Sequence, residues 1–457
     1  MESKVNMQIA SNFFLNYISF QNFDLWDTKR YTSKVLKSKY KMVRLGDYII
    51  EQNKKFKLNE NEELEYGILG VNNQTGIFDA YVSKGKEINQ PYKKMEVGWL
   101  AYNPYRINVG SIGVKRKTQR HEYISPAYVV FSCKSDIIPE YVLLLFKSES
   151  FNKIINESTT GSVRQNLSFE ILKSLQFPLP SLEEQENIVN TYNEKIERAK
   201  ELEREADELE KRIEQRLFNI LGIKKNLIQN RNSKINITSF NFLSAWGVER
   251  LLRGGNKSIL HSHLFENSKL SDKVLINPRT DLSHLGTDEK MSFIPMECIS
   301  DEYGEVIELR EGKKSLSGGY TKFKEGDLIW ARITPCMQNG KSAIVNGLHN
   351  GVGYGSTEFH VIRSKDDNVL LDYIYHILRL KTILNDATNY FTGTAGQQRV
   401  PKSYLEELII PVPPIEVQRM ISDELYSVKS HIKDLNHQAF DLRDKAQKEF
   451  ENEIFNN

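Results

Sequence analysis

The sequence predicts an α+β protein with a pseudo-twofold internal repeat: two similar globular domains separated by two long helices that form an antiparallel coiled coil. Three observations predict it. In residues 180–222, Ile188, Tyr192, Ile196, Ala199, Leu202, Ala206, Leu209, Ile213, Leu217 and Ile220 recur at steps of three or four between dense Glu, Lys and Arg. That is the stripe of an amphipathic helix. The same design returns in residues 413–455, where Ile421, Leu425, Val428, Ile432, Leu435, Ala439, Leu442 and Ala446 are spaced four-three-four-three and Phe450 follows after four more. The segments ahead of the two helices also align: Trp26 falls on Trp246, Arg30 on Arg250, Leu45 on Leu270, Gly98 on Gly326, Pro178 on Pro411 and Gln185 on Gln418. The separation within these pairs only grows along the chain, as expected of one unit duplicated with a few loop insertions.

Taken in order, residues 1–22 form an N-terminal extension and 23–180 a first globular domain. A helix occupies 181–222, a linker 223–237, a second domain 238–412 and a C-terminal helix 413–457. The domains carry strand-like runs at 48–50, 127–132, 327–331 and 359–363 among Gly, Asn and Pro turns. Short helices are expected at 139–147, 149–156, 370–380 and 381–390. Before each long helix an apolar strand and a proline pair, FPLP and IPVP, stop the preceding element. Glu183, Glu184 and Glu186 then fill the first turn, where the helix dipole favours negative charge. At about 1.5 Å per residue such a helix is about 60 Å long. The simplest cover for its stripe is the stripe of the other helix. Antiparallel pairing would hold two similar heads at a fixed separation, the geometry for contacting two half-sites on one duplex.

The 457 residues, 39% of them hydrophobic, suffice for two to four cores. A formal net charge of +2 means that any nucleic-acid role rests on local basic patches. Cys133, Cys298 and Cys336 are odd in number and far apart, which argues against a disulfide framework or a zinc cluster and for a reducing compartment. No apolar run is long enough for a membrane span, and the first 20 residues lack the apolar core and cleavage site of a signal peptide. A cytoplasmic location is expected.

Catalytic signatures are missing. Asn103-Pro104-Tyr105 echoes part of an adenine-methyltransferase motif but reads as a turn. Gly351-Val352-Gly353-Tyr354-Gly355 leads into a strand rather than a helix, so it is no cofactor cradle. Gly340-Lys341-Ser342 ends like a phosphate loop, yet Pro335 stands where a glycine is required. His261 and His263 have no third ligand nearby in sequence and read as a solvated loop.

The helix starts PLPSLEEQENIV and PVPPIEVQRMI, the loops TTGSVRQNLS and TGTAGQQRVP ahead of them, and the segments GWLAYNPYRINVGSIGV and GDLIWARITP together resemble the specificity subunit of a type I restriction-modification enzyme. The likeness covers nearly the whole chain in order, except residues 1–22. It implies two target recognition domains, each reading one half of a split site in double-stranded DNA. It also implies a helix pair that sets the gap and docks two copies of an adenine methyltransferase subunit, with nuclease-translocase subunits joining for restriction. The chain itself would be non-catalytic and hold no cofactor or metal; S-adenosylmethionine would sit on the methyltransferase subunit. No membrane partner is implied.

DNA-contact candidates follow from residue chemistry. Lys115, Arg116, Lys117 and Arg120, with His121, form a basic run suited to phosphate neutralisation, or a solvated loop. Arg164, Gln165 and Asn166 in the first repeat and Gln397, Gln398 and Arg399 in the second hold equivalent places. Their side chains are the types that grip guanine and adenine edges, though the shared role could be packing of the loop. Tyr105, Arg106 and Asn108, and Arg332, Gln338, Asn339 and Lys341, follow the Gly98 and Gly326 strands; Tyr354 and Ser356 complete the set. Two other classes compete: a coiled-coil protein-protein interaction scaffold without DNA recognition, and a stand-alone methyltransferase or nuclease. Steep salt dependence of DNA affinity would argue against the scaffold. Cofactor-dependent activity of the single chain would revive the enzyme.

Overall fold

The computed structural model describes residues 37–158, 166–224, 259–394 and 396–455. The aligned segments around Trp26 and Trp246, the 1–22 extension and the linker beyond residue 224 lie outside the described residues. Contacts divide the chain into two compact units, Met1–Glu201 with Ala439–Asn457, and Leu202–Gln438.

In chain order the first unit contains β1 (Lys41–Arg44), β2 (Ile49–Glu51), β3 (Lys55–Phe56), β4 (Glu65–Asn72), β5 (Gly76–Lys84), β6 (Tyr92–Lys94), β7 (Leu100–Tyr102), β8 (Ile112–Val114), β9 (Tyr123–Ile124) and β10 (Val129–Cys133). The helices α1 (Pro139–Lys147), α2 (Glu149–Ser158) and α3 (Phe169–Ser174) and strand β11 (Gln176–Leu179) follow, then the long helix α4 (Leu182–Leu221), which belongs to this unit only as far as Glu201. The strands form a four-stranded sheet β2-β10-β7-β8, a five-stranded sheet β3-β6-β9-β4-β5 and the pair β1-β11. At the β4–β5 hairpin, Asn72 Oδ1 accepts from the backbone N–H groups of Gln74 (3.0 Å) and Thr75 (2.7 Å). Gly76 takes the φ of +72° that the turn demands. Proline opens α1, where its missing N–H is harmless, and the Ser168 hydroxyl caps α3.

The second unit repeats the plan. It contains β12 (Glu266–Lys269), α5 (Leu270–Lys273), β13 (Val274–Ile276), β14 (Lys290–Ile294), β15 (Arg310–Lys313), β16 (Thr321–Lys324), β17 (Leu328–Ala331), β18 (Ser342–Ile344), β19 (Val352–Gly355) and β20 (Phe359–Ser364). Then come α6 (Leu371–Leu378), α7 (Lys381–Thr388), α8 (Lys402–Glu407), β21 (Ile409–Val412) and the long helix α9 (Ile415–Ile454), which belongs to this unit as far as Gln438. The sheets are β13-β20-β17-β18, β15-β14-β19-β16 and the pair β12-β21. The first and third match the order of their counterparts strand for strand.

In each unit, apolar side chains of α1–α3 or α6–α8 and the four-stranded sheet form the main core, which the long helices close. Tyr102, Phe131, Tyr141, Phe146 and Phe177 are buried in the first, with Phe450 and Ile454 of α9 and Phe455 just after it packed on them. Trp330, Tyr373, Ile374 and Ile377 are buried in the second, covered by Leu217, Phe218 and Leu221 of α4 and Ile421 and Leu425 of α9. Each such side chain contributes roughly 1.5–3 kcal/mol when fully buried. The pairing along the helices is antiparallel: Tyr192 meets Phe450 and Lys195 meets Glu449 (2.8 Å) in the first unit. In the second, Glu205 faces His431 and Arg216 pairs with Glu424 (2.7 Å). Exposed pairs of this kind add little stability; the expected apolar stripes, buried or half-buried throughout, carry the contact.

Candidate nucleic-acid interface

In the first unit the turn after β7 presents the Tyr105 group. Asn103 Oδ1 accepts from the Tyr105 N–H (3.0 Å) and the Asn103 carbonyl from the Arg106 N–H (3.0 Å), an Asx turn that leaves Tyr105 and Arg106 exposed and Asn108 half-buried. The segment ahead of α3 runs past this turn, with Leu167 N–H donating to the Pro104 carbonyl (3.0 Å) and the Tyr102 hydroxyl to the Leu167 carbonyl (3.0 Å). Asn166 therefore lies beside it, its Oδ1 buried without a hydrogen-bond partner. Arg164 and Gln165 lie outside the described residues.

The same junction is built in the second unit. Val400 N–H donates to the Arg332 carbonyl (2.8 Å) and Thr334 N–H to the Gln398 carbonyl (3.0 Å). The 392–400 loop closes on itself through reciprocal Thr392–Arg399 backbone bonds of 2.9 Å. Leu167–Pro104 and Val400–Arg332 occupy matching places in the repeat, so both units join the turn after one central strand to the loop before a short helix. Gln338, Asn339 and Gln397 are exposed, while Gln398, Ser356, Arg332 and Lys341 are half-buried. The Thr334 hydroxyl donates to Gln338 Oε1, and Lys341 Nζ donates to the Met296 carbonyl (3.2 Å).

Three candidates are placed differently from what residue type suggests. Lys115 is buried: its backbone bonds with Trp99 and Gly98 continue the β7–β8 ladder, so its side chain turns inward and Nζ donates to the Met95 carbonyl (3.0 Å). Tyr354 is buried on β19, its ring in tilted contact with those of Phe293 and Tyr320. Arg399 directs Nε and Nη2 onto the Glu358 carboxylate (2.8–3.0 Å) and Nη1 onto the Gln397 carbonyl (2.7 Å), a fork that shapes its own loop. That bond raises the Arg399 pKa. Arg116, Lys117 and Arg120 remain exposed. Their loop is pinned by Asp79, which accepts from the backbone N–H groups of Arg120 (3.1 Å) and His121 (3.0 Å). Burial opposes the Asp79 charge, but the His121 and Arg120 donors outweigh it and hold its pKa below the ordinary carboxylate value.

Glu358 and His360 are site residues that residue-type reasoning missed, because only the fold brings them to Arg399 and Val400. Nε2 of His360 is 2.9 Å from the Val400 carbonyl and Nδ1 is 3.0 Å from Asn277 Nδ2. A carbonyl only accepts, so the proton sits on Nε2. Burial lowers the His360 pKa from 6.5 to about 4. The unfolded chain therefore takes up this proton first. Stability from the neutral ring is intact above about pH 6.5 and lost as pH falls towards about 4, in total roughly 3 kcal/mol. His376, held well below the ordinary value by burial, adds a decline of the same sign. Denaturant unfolding at pH 7, 5.5 and 4.5 should show the decline, flattened in part by His360→Gln; an equal decline in the variant would contradict the assignment.

Among the described residues no group of three or more His, Cys, Asp or Glu could hold a metal, and no helix is long and apolar enough to cross a membrane. The sequence model of the type I restriction modification DNA specificity domain matches residues 37–216 and again 265–439. The chain belongs to this family. It is similar to the type I restriction enzyme EcoAI specificity subunit of Escherichia coli, 37% identical over 173 residues, 38% of this chain and 29% of that protein. It is also similar to the EcoEI specificity subunit of Escherichia coli, 39% identical over 157 residues, 33% of this chain and 25% of the relative. These alignments thus span under a third of either relative's length. A solved structure described as the basis of complex assembly and conformational transition of the type I R-M system shares the fold, at a TM-score of 0.55 and 15% identity over 92% of this chain and 99% of that one. The two matches to the family coincide with the two copies of the turn–loop junction.

Proposed function

We propose that the chain is a non-catalytic DNA-specificity subunit. Its target recognition domains, 23–180 and 238–412, each read one half of a bipartite site in double-stranded DNA. The helices 181–222 and 413–457 set the spacer, with 1–22 an extension and 223–237 a linker. The pair directs two copies of an adenine methyltransferase subunit, which carries S-adenosylmethionine, and nuclease-translocase subunits join for restriction in the cytoplasm. The observation that carries this reading is the duplicated turn–loop junction, displaying Tyr105 and Arg106 in one repeat and Gln338, Asn339 and Gln397 in the other, within a DNA-specificity family. Arg116, Lys117 and Arg120 supply phosphate contacts; Lys115 and Tyr354, being buried, act through the fold, and Arg399 through its loop.

The test is to combine the chain with its methyltransferase partner and S-adenosylmethionine and map methyl-adenine across a genome. A split motif with a fixed spacer is expected, and a contiguous motif would refute the spacer role. In the same assay Gln398→Ala should relax discrimination within one half only, by about 10- to 100-fold at the affected base pair, the 1–3 kcal/mol of a bidentate base contact. Equal loss in both halves would make Gln398 a folding residue instead.

A further inference from the structure

A cavity of about 930 Å³ in the second unit is lined by the 277–283 segment after β13, by Thr321 and Lys322 of β16, by Arg332 and by Thr357 and Phe359. Its charged lining is Arg279, Lys314, Lys322 and Arg332 against Asp281. Concave sites with one dominant sign of charge focus the field on a counter-charged ligand. Asp281 is turned to local work: its carboxylate accepts from Ser283 N–H (2.9 Å) and Oγ (2.9 Å).

The wall is braced from within the fold. Lys314 Nζ donates to the Leu282 carbonyl (2.8 Å) and Lys322 Nζ to the Ser317 carbonyl (2.8 Å), while Arg363 Nη2 donates to Thr280 Oγ1 (3.1 Å). Asn277, at the start of the rim, holds a left-handed φ of 53°, fixed by its bonds with Val361 N–H and His360. Asparagine tolerates this conformation, and the two bonds fix where the rim starts. Two guanidiniums are left for a ligand. Arg279 is exposed. Arg332 has a buried Nε with no hydrogen-bond partner, 3.8 Å from a Glu358 carboxylate that already holds the Arg399 fork.

We propose that this cavity is a phosphodiester-binding site, in which Arg279 and Arg332 hold the backbone of the strand whose bases meet the 397–398 loop. The proposal rests on the DNA-reading function. Arg332 belongs to both places, since its carbonyl accepts the Val400 N–H that ends the loop. Guanidinium is the cation best matched to a phosphate, offering planar donors in a fixed fork. Contacts of this kind position the protein without selecting sequence. The assigned ligand is therefore a phosphate diester, and the alternative source of the same chemistry is a free phosphate.

The experiment is equilibrium DNA binding by the full chain with its methyltransferase partner, across a salt series, for wild type, Arg279→Ala and Arg279→Lys. Each phosphate contact contributes about 0.9 to the slope of log affinity against log salt. Arg279→Ala should lower the slope by about one, which is about tenfold in affinity at 0.1 M if the curves meet at 1 M. The loss should be equal on DNAs that differ in the second half-site, and Arg279→Lys should keep the wild-type slope. Arg332→Gln should act in the same direction. An unchanged slope in Arg279→Ala beside a steep wild-type slope overturns the phosphodiester site and leaves the DNA reading standing; a wild-type complex without salt dependence overturns both. Titrating inorganic phosphate into the DNA-free chain separates the sources. Binding that depends on Arg279, together with an unchanged DNA slope, would reassign the cavity to a free anion and overturn the proposal.

Discussion

Arg363→Ala should destabilise the second unit by about 3–5 kcal/mol, the range for stranding one member of a buried ion pair. Nε and Nη2 of Arg363 each lie 2.7 Å from an oxygen of Asp327. Asp327 is only 1% exposed and accepts further from the Lys324 N–H (2.8 Å). Without the guanidinium that carboxylate is left buried and without its ion-pair partner. The pair itself need not be strongly stabilising, because desolvation offsets much of the attraction. Arg363→Met with Asp327→Leu should therefore recover most of the loss, and the double-mutant cycle measures the coupling. Urea unfolding of Arg363→Met, Asp327→Leu and the double variant reads it, and a loss below about 1 kcal/mol in Arg363→Ala would contradict the account. Arg363 also braces Thr280, so amide exchange in 279–283 should quicken in the single variant even under conditions where the unit stays folded.

This ion pair also marks where the sequence stops being legible. Asp327 and Arg363 sit at the start of β17 and the end of β20, and in sequence each looks like an ordinary surface charge; only antiparallel pairing of the two strands, Leu328 opposite Ile362, brings them together. The long helices could be read because their information is local: an apolar stripe at helical spacing needs no knowledge of what it packs on. The short helices at 139–147 and 381–388 were legible for the same reason, and the duplication needed only a comparison of the chain with itself. The parallel contacts β4–β9 and β14–β19 depend on partners distant in sequence and went unread; the hairpin of β4 with β5 is local and went unread as well. Residue type likewise misplaced individual candidates. In KRKTQRH, Lys115 continues a ladder and points inward while Arg116 faces solvent, and no property of a basic run separates the two. Arg399 looks free to grip a base until Glu358, drawn in from the start of β20, occupies its donors.

Gln185 and Gln418, paired by sequence comparison alone, are the residues whose loss should cost most in each long-helix start. Gln185 Nε2 donates to the Asp136 (3.1 Å) and Pro180 (3.0 Å) carbonyls, and its Oε1 accepts from the Ile138 N–H (2.9 Å). Gln418 does the same with the Asn368 (3.1 Å) and Pro413 (2.8 Å) carbonyls and the Leu370 N–H (2.9 Å). Both amides are fully buried, and each ties the first turn of a long helix to the segment opening α1 or α6. Gln418→Met keeps the volume but leaves two carbonyls and one N–H without this partner, an expected loss of at least about 3 kcal/mol at about 1–3 for each of the three groups. Gln418→Glu should cost more at pH 7. Its carboxylate still accepts from Leu370 yet cannot donate, and it sets a negative charge against two carbonyl oxygens with no compensating donor. Protonation restores one donor, so the penalty of the Glu variant should shrink as pH is lowered, while that of the Met variant stays flat relative to wild type. The same pattern is expected for Gln185 in the first unit. Denaturant unfolding of the Met and Glu variants at pH 7 and 5, with amide exchange at Ile138 and Leu370, measures both. If Glu is tolerated better than Met at pH 7, the amide is not acting as a double donor, and the equivalence of Gln185 and Gln418 reflects packing of the helix start rather than its hydrogen bonds.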